Sequence, residues 1–193
     1  MTRLDVVAGP NGAGKSTFVT HVLAALLPGS VFVNADEIAK QRWPDEPGAH
    51  AYQAARIAAD TRAKLIETRR PFIAETVFSH PSKLDLIAFA RGAGYTVVLH
   101  VILVPEDLAV QRVKLRAAMG GHDVPETKIR EPFRRLWGLV TQGVAESDSA
   151  LVYDNSRGTG PRIVAATAAG QIIGQPSWPA WTPAVLRQVS RPD

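Results

Sequence analysis

The sequence predicts an α/β protein in which helices flank a parallel sheet. Short apolar, β-branched runs alternate with helical stretches, which is typical of strand–helix–strand units. Polar residues repeatedly follow these runs, at the point where each predicted strand ends, and a glycine-rich loop lies between the first strand and the first helix. Ligands of open α/β sheets bind at the carboxyl ends of the strands. We therefore expect the functional residues at that edge.

The glycine-rich loop is the most specific feature of the sequence. It follows the apolar run 4–8, leads into a predicted helix over 16–27 and fits the pattern GxxxxGK[ST]. In that pattern backbone N–H groups and a helix N-terminus surround phosphates, the lysine reaches the β- and γ-phosphates, and the next hydroxyl binds Mg²⁺. We therefore expect a loop for ATP, with GTP left open, formed by Gly9, Pro10, Asn11, Gly12, Ala13, Gly14, Lys15, Ser16 and Thr17.

Composition limits the other classes of protein. The chain has 193 residues, enough for one domain with a core and a small lid, and it has no cysteine for disulfides or zinc. No apolar stretch reaches membrane-spanning length, so we expect a soluble, cytoplasmic protein without a membrane partner. The net charge is +4, but the basic residues are scattered and no nucleic-acid module is visible. Nucleic acid is therefore not the expected partner.

Two further predicted strands end in acidic residues. The run 31–33 leads to Asp36, and the run 72–74 leads to Glu75. Asp36 also suits a helix N-cap, although a capping role does not exclude catalysis. Glu75 is either an ion-pair partner or a ligand of substrate or metal. Because both strands end at the edge that carries the glycine loop, we predict functional roles for both carboxylates. Further polar residues follow the second strand: Thr76, Ser79 and His80.

Two pairs of arginines flank a Gly-Gly segment at 120–125, which is a predicted hinge. Each pair shares one helix face because its members are four residues apart: Arg112 with Arg116, and Arg130 with Arg134. Arginine suits bidentate contacts with phosphate, whereas a solvated basic face is the alternative interpretation. We predict a phosphate-clamping lid over about 117–135.

The last part of the chain adds strands and a tail. The runs 149–153 and 162–168 are predicted strands, and a polar turn with Asn155 and Arg157 follows the first of them. We predict one domain over residues 1–174. Residues 175–193 contain several prolines and tryptophans, so we expect an irregular tail that packs on the core, with packing on a partner as the alternative.

Together these motifs resemble the zeta toxin family in its short bacterial form. The resemblance runs from about residue 3 to 157 and rests on the segments 9–17, 34–38, 75–76, 94–95, 120–125 and 153–156, with Arg112, Ile129 and Arg130. It implies a P-loop NTPase of nucleoside-kinase-like fold with a small helical lid. It also implies transfer of the γ-phosphate of ATP to the 3′-hydroxyl of UDP-N-acetylglucosamine. It leaves open whether a protein antitoxin is a partner.

The resemblance also implies a role for each matching residue. Lys15 would be the phosphate lysine, and Ser16 the Mg²⁺ ligand with Asp36 acting through a water. Asp36 would accept the proton of the substrate hydroxyl. The acceptor would be held by Glu75 and Thr76. From its position after the same strand, we also expect His80 on the substrate side. The transferring phosphoryl group would be stabilised by Arg112, Arg116 and one of Arg130 or Arg134. Near the nucleotide base would lie Asn155 and Arg157.

Three other interpretations remain open. The protein could be a kinase for another small hydroxylated metabolite or an antibiotic, because the residues that shape the acceptor pocket behind Glu75 are not identified by sequence. It could be a nucleotide-dependent toxin or switch that a protein antitoxin controls. A nucleic-acid kinase is the least favoured interpretation, and salt-sensitive binding of oligonucleotides would be its marker.

Overall fold

A seven-stranded mixed sheet forms the centre of the protein, in the strand order β2-β3-β1-β4-β5-β6-β7. The computed structural model describes residues 2–119 and 125–189. The strands are β1 Arg3–Ala8, β2 Val31–Val33, β3 Phe72–Thr76, β4 Thr96–Leu103, β5 Ser149–Asp154, β6 Arg162–Ala168 and β7 Gln171–Ile173. Strands β1 to β5 run parallel, and β6 and β7 pair antiparallel at one edge. The predicted α/β fold is confirmed.

Helices cover the faces of this sheet. The predicted first helix is continuous but changes type: α1 Lys15–Phe18 passes into a π-helical segment, Val19–Leu23, and ends as α2 Ala24–Leu26. The remaining helices are α3 Ala35–Arg42, α4 Ala51–Glu67, α5 Ser82–Gly92, α6 Glu106–Ala118, α7 Thr127–Glu146 and the 3₁₀ helix Ala184–Gln188. No helix of the described ranges is long and apolar enough to cross a membrane.

The order of the strands positions the site. Strand β1 lies between β3 and β4. After β1 the chain moves to β2 and β3 on one side, and it then crosses to β4 on the other side. Such a change of direction creates a crevice beyond the carboxyl ends of the strands. The glycine loop leaves β1 at this point, and the residues that follow β2 and β3 reach the same edge.

A buried polar network braces the central strands below that crevice. His100 on β4 is 2% exposed, and its Nε2 lies 2.7 Å from Oδ1 of Asp5 on β1. The Tyr153 hydroxyl lies 3.3 Å from His100 Nδ1. Burial pushes the pKa of Asp5 up, but hydrogen bonds from His100 and Arg3 outweigh that effect and hold it below its ordinary value. The network therefore keeps a charged carboxylate inside the sheet.

Helix α7 packs on the core along the predicted apolar stripe. All five members are buried: Ile129, Phe133, Leu136, Trp137 and Val140. The predicted Gly120–Gly121 hinge before this helix lies outside the described residues.

The segment after β7 also contacts the core. Ser177 N donates to Val164 O over 2.7 Å. Trp178, Trp181 and the fully buried Leu186 pack against the main hydrophobic cluster. Residues 190–193 of the predicted tail lie outside the described part of the chain.

Candidate active site

The glycine loop takes a shape that only glycine tolerates at two positions. Gly12 and Gly14 have φ of +79° and +87°, in the left-handed region. A β-carbon on Gly12 would lie 2.5 Å from the Ala109 carbonyl oxygen, and one on Gly14 would lie 2.6 Å from Asn155 Nδ2. The loop is therefore held between α6 and the turn after β5, with its backbone wrapped tightly at the start of α1.

Lys15 follows the loop and is buried, with 7% of its surface exposed. Its Nζ donates to the Pro10 carbonyl oxygen over 3.1 Å. Burial lowers the pKa of Lys15; the carboxylates of Glu75 and Asp36 oppose this shift, and the charge of Arg116 adds to it. Burial is thus the largest effect on the Lys15 ammonium group, and the anionic phosphates of a nucleotide at the loop would oppose it.

A chain of hydrogen bonds joins the loop to the ends of β2 and β3. Ser16 Oγ donates to Glu75 Oε1 over 3.0 Å, and Asn34 Nδ2 donates to Glu75 Oε2 over 2.7 Å. Burial raises the pKa of Glu75, against the opposing effects of Lys15 and these hydrogen bonds. One Glu75 oxygen therefore faces the start of α1, and the other faces Asn34 at the end of β2.

Asn34, not Asp36, caps helix α3. The Asn34 side-chain oxygen accepts from the backbone N–H groups of Asp36, over 2.7 Å, and of Glu37, over 3.3 Å. The possible capping role of Asp36 is therefore wrong, because α3 begins at Ala35 and Asp36 already lies in its first turn. The Asp36 carboxylate lines the cleft instead. Burial lowers the pKa of Lys15 and raises that of Glu75, and the charge of Asp36 opposes the first shift and adds to the second.

A cleft of about 230 Å³ brings these groups together. It is lined by Asn11, Lys15, Asn34, Ala35, Asp36, Ala55, Ala58, Arg62, Glu75, Thr76, Val77 and Lys83. The sequence analysis identified the carboxylates and Thr76 but missed Arg62 and Lys83. A signal for Arg62 was present, since it lies four residues from both Ala58 and Ile66 on the buried stripe of α4.

His80 is not part of this lining among the described residues. Its Nδ1 accepts from Ser82 N over 3.2 Å and lies 3.0 Å from Ser82 Oγ, so the ring stabilises the start of α5. The structure therefore places the His80 ring against the start of α5 rather than in the lining of this cleft.

A second cleft, of about 470 Å³, lies on the other side of the loop. It is lined by Gly12, Gly14, Thr17, Phe18, His21, Val22, Arg112, Asn155, Arg157, Gly158, Gly160 and Pro161. Asn155 Nδ2 donates to the Ala13 carbonyl oxygen over 2.8 Å, which ties the turn after β5 to the loop. The structure thus places Asn155 and Arg157 beside the loop, and their contact with a nucleotide stays a prediction.

The two arginine pairs have different surroundings. Arg112 Nη1 donates to the Gly12 carbonyl oxygen over a long 3.4 Å, and the charge of Arg116 acts on Lys15. Arg112 therefore lies at the loop, and Arg116, one turn further along α6, is close enough for its charge to act on Lys15. The pair on α7 is directed elsewhere and makes ion pairs.

Acidic residues neutralise the α7 arginines. Arg130 lies 2.7 Å from Glu126, 2.9 Å from Asp107 and 3.1 Å from Glu106, and these partners raise its pKa. Arg134 is 71% exposed and lies 3.4 Å from Glu106. The predicted clamp takes Arg112, Arg116 and one of Arg130 or Arg134. In this structure carboxylates hold both α7 arginines, so neither of them completes the clamp.

A family model described as an AAA domain matches residues 4–136. No curated protein sequence matches the chain. The native crystal structure of the AvrRxo1-ORF1:-ORF2 complex aligns with a TM-score of 0.69 and 14% identity, covering 100% of this chain and 64% of that one. Its ATP-bound structure aligns with a TM-score of 0.68 and 16% identity, covering 90% and 60%.

Two other solved structures share the fold. One, from the PezAT chromosomal toxin–antitoxin system of Streptococcus pneumoniae, has a TM-score of 0.65 and 15% identity, covering 86% of this chain and 72% of that one. Shikimate kinase from Acinetobacter baumannii, in complex with shikimate, has a TM-score of 0.54 and 18% identity, covering 82% and 86%. The resemblance to the zeta toxin family is confirmed in the fold. The chain spans less than two thirds of the AvrRxo1 chain.

This fold and this loop define the class of α/β proteins with a phosphate-binding loop of the pattern GxxxxGK[ST]. Within that class, the match over residues 4–136 shows that the chain belongs to the AAA domain family.

Proposed function

We propose that the protein is a kinase that transfers the γ-phosphate of ATP to a hydroxyl of a small acceptor, with UDP-N-acetylglucosamine as the first candidate. One observation supports this proposal most: the carboxylate of Asp36 lines the same cleft as Lys15 and Glu75. A base for the acceptor hydroxyl and a cation for the transferring phosphate thus share one small space.

On the donor side, the loop and Lys15 would bind the β- and γ-phosphates of ATP. Ser16 Oγ and Glu75 Oε1, 3.0 Å apart, suit Mg²⁺, which in nucleotide sites takes few protein ligands because phosphates and waters supply the rest. Bound there, Mg²⁺ would neutralise charge on the phosphates. The cleft lined by Asn155 and Arg157 has room for the base, and either ATP or GTP fits this scheme.

On the acceptor side, Asp36 would orient the hydroxyl and take its proton. The acceptor oxygen would bond to the γ-phosphorus while the bond from that phosphorus to the β–γ bridging oxygen breaks, so that ADP leaves. Charge is spread over the phosphoryl oxygens in this transition state, and cations stabilise it. Lys15 and Arg112 would supply that charge from opposite sides of the loop, and the charge of Arg116 also acts on Lys15.

The acceptor assignment is supported by the resemblance to the zeta toxin family and by the polar lining of the cleft. Glu75 and Thr76 at the end of β3 would contact the acceptor sugar. Because ATP and nucleotide sugars are cytoplasmic, we propose that the protein acts in the cytoplasm.

The test is phosphate transfer from ATP with Mg²⁺ to a panel of acceptors, with the mass of each acceptor measured. The panel contains UDP-N-acetylglucosamine, shikimate and an aminoglycoside, and Lys15→Ala serves as the inactive control. A mass increase of one phosphate on the sugar nucleotide supports the full proposal. Transfer to a different acceptor retains the kinase and replaces its substrate, and no transfer to any member contradicts the proposal.

A second candidate function is a toxin that a protein antitoxin controls. The fold neighbours include a toxin–antitoxin system and a two-protein complex, and this observation favours such a partner. If phosphate transfer is toxic, induced expression of the wild type should arrest growth while Asp36→Asn should not. Normal growth with the active enzyme would contradict this role.

A further inference from the structure

Two cations line the acceptor side of the site, and neither has a carboxylate partner among the residues that the structure describes. Arg62 lies on α4, and Lys83 lies in the first turn of α5. Lys83 Nζ donates to Ser82 Oγ over 3.2 Å. Within residues 2–119 and 125–189, neither cation takes part in an ion pair.

Arg62 and Lys83 lie between the cleft of the candidate site and a neighbouring groove. Both residues line the cleft that contains Asp36, and both also line a larger groove of about 450 Å³ between α4 and α5. Asp85 lines this groove too, but it is exposed and makes no ion pair with either cation in the described part of the chain. The two cations therefore stand at the boundary between the catalytic cleft and the groove.

This arrangement is unfavourable without a ligand. Burial lowers the pKa of Arg62 and of Lys83, and the nearby guanidinium of Arg62 lowers the pKa of Lys83 further. Two like charges that are half removed from water repel each other, and proteins normally pair such groups. Arg62 also lies on the buried face of α4, the face that carries Ala58 and Ile66. An anion between the two cations would offset both costs.

We propose that Arg62 and Lys83 form an anion subsite that binds a phosphate group of the acceptor. The inference rests on the proposed function, because it specifies the acceptor of the same kinase as a phosphate ester. The guanidinium fork suits two phosphate oxygens, and the ammonium group adds a compact charge. Beyond them the groove carries the rings of Tyr52 and Phe89, 77% and 57% exposed, which suit the flat face of a nucleoside.

Inorganic pyrophosphate tests the subsite directly. It is titrated by calorimetry into the protein saturated with ADP, so that the phosphate loop is already occupied. We expect one pyrophosphate site, and we expect Arg62→Gln and Lys83→Gln each to weaken it by about tenfold to a hundredfold. Lys64→Gln is the matched control, since Lys64 is a 73% exposed cation of the same helix that pairs with Glu67.

The outcomes separate this inference from the proposed function. The subsite is overturned if the ADP-bound wild type does not bind pyrophosphate, or if both variants bind it as Lys64→Gln does. Thermal melting identifies a variant that has failed to fold, in which case the other single variant decides. The kinase proposal fails separately, if no acceptor gains a phosphate although pyrophosphate binding still depends on Arg62 and Lys83.

Discussion

The Ser16 hydroxyl donates to Glu75 Oε1 over 3.0 Å, although the two residues are 59 positions apart in the chain. This contact joins the start of α1 to the end of β3. Asn34 extends it to the end of β2, since its Nδ2 donates to the other Glu75 oxygen over 2.7 Å. Three segments of the chain thus meet at one carboxylate, beside Lys15.

The first prediction concerns Asn34, which both caps α3 and supports Glu75. We expect Asn34→Ala to lower the free energy of unfolding by about 1–2 kcal/mol, because two N–H groups lose their acceptor. Activity should fall as well, since Asp36 and Glu75 lose their support. Asn34→Ser keeps a capping oxygen but is too short to reach Glu75, so it should recover stability more than activity. Urea unfolding and phosphate transfer measure the two effects; wild-type stability in Asn34→Ala would contradict the capping role.

The second prediction concerns the charge of Glu75. Burial raises the pKa of Glu75 above its ordinary value of 4.5, so the folded state holds the proton more tightly than the unfolded state. The resulting stability is present below that value and is lost as pH rises through the folded pKa. We therefore expect Glu75→Gln to raise Tm by a few degrees at pH 7 and to match the wild type below pH 4.5.

The same variant should lose activity, since the carboxylate faces the Ser16 hydroxyl where Mg²⁺ would bind. We expect phosphate transfer to fall by about 10²–10³-fold. Melting scans across pH and a transfer assay make the comparison. A variant that is less stable than the wild type at pH 7 would show that the ionised Glu75 stabilises the fold.

The third prediction separates the two arginine pairs. Arg112 lies at the loop, whereas Arg130 is held by Glu106, Asp107 and Glu126. We expect Arg112→Gln to reduce transfer by about 10³-fold, the lower end of the contribution of an arginine finger. Arg130→Gln should chiefly lower thermal stability. Equal losses of turnover in both variants would mean that the ion pairs of Arg130 open during the reaction.

Much of the fold followed from local patterns. The apolar runs predicted the parallel strands. The segment 9–17 predicted the phosphate loop, because Gly12 and Gly14 adopt the positive φ that the loop requires. The strand-end rule led to Asp36 and Glu75 without any knowledge of contacts. These features depend only on residues close together in the sequence or on the direction of one strand, so they can be predicted from the sequence alone.

Long-range pairing was not predictable in the same way. The bond from Ser16 to Glu75 and the ion pairs of Arg130 depend on how separate elements pack. The capping of α3 by Asn34 was missed because Asp36 is an equally good cap by residue type. Arg62 offered a local signal, a cation on an apolar helix face, but the approach of Lys83 comes from the packing of α5 beside α4.

The final prediction tests the central claim, that Asp36 activates the acceptor while the loop binds the nucleotide. The measurement is ATP affinity and phosphate transfer in Asp36→Asn beside the wild type. We expect ATP affinity to stay within about threefold and transfer to fall by about 10²–10⁴-fold, the usual contribution of a general base. Full transfer by Asp36→Asn would contradict the account, and an equal loss of both quantities would move Asp36 to the nucleotide side of the site.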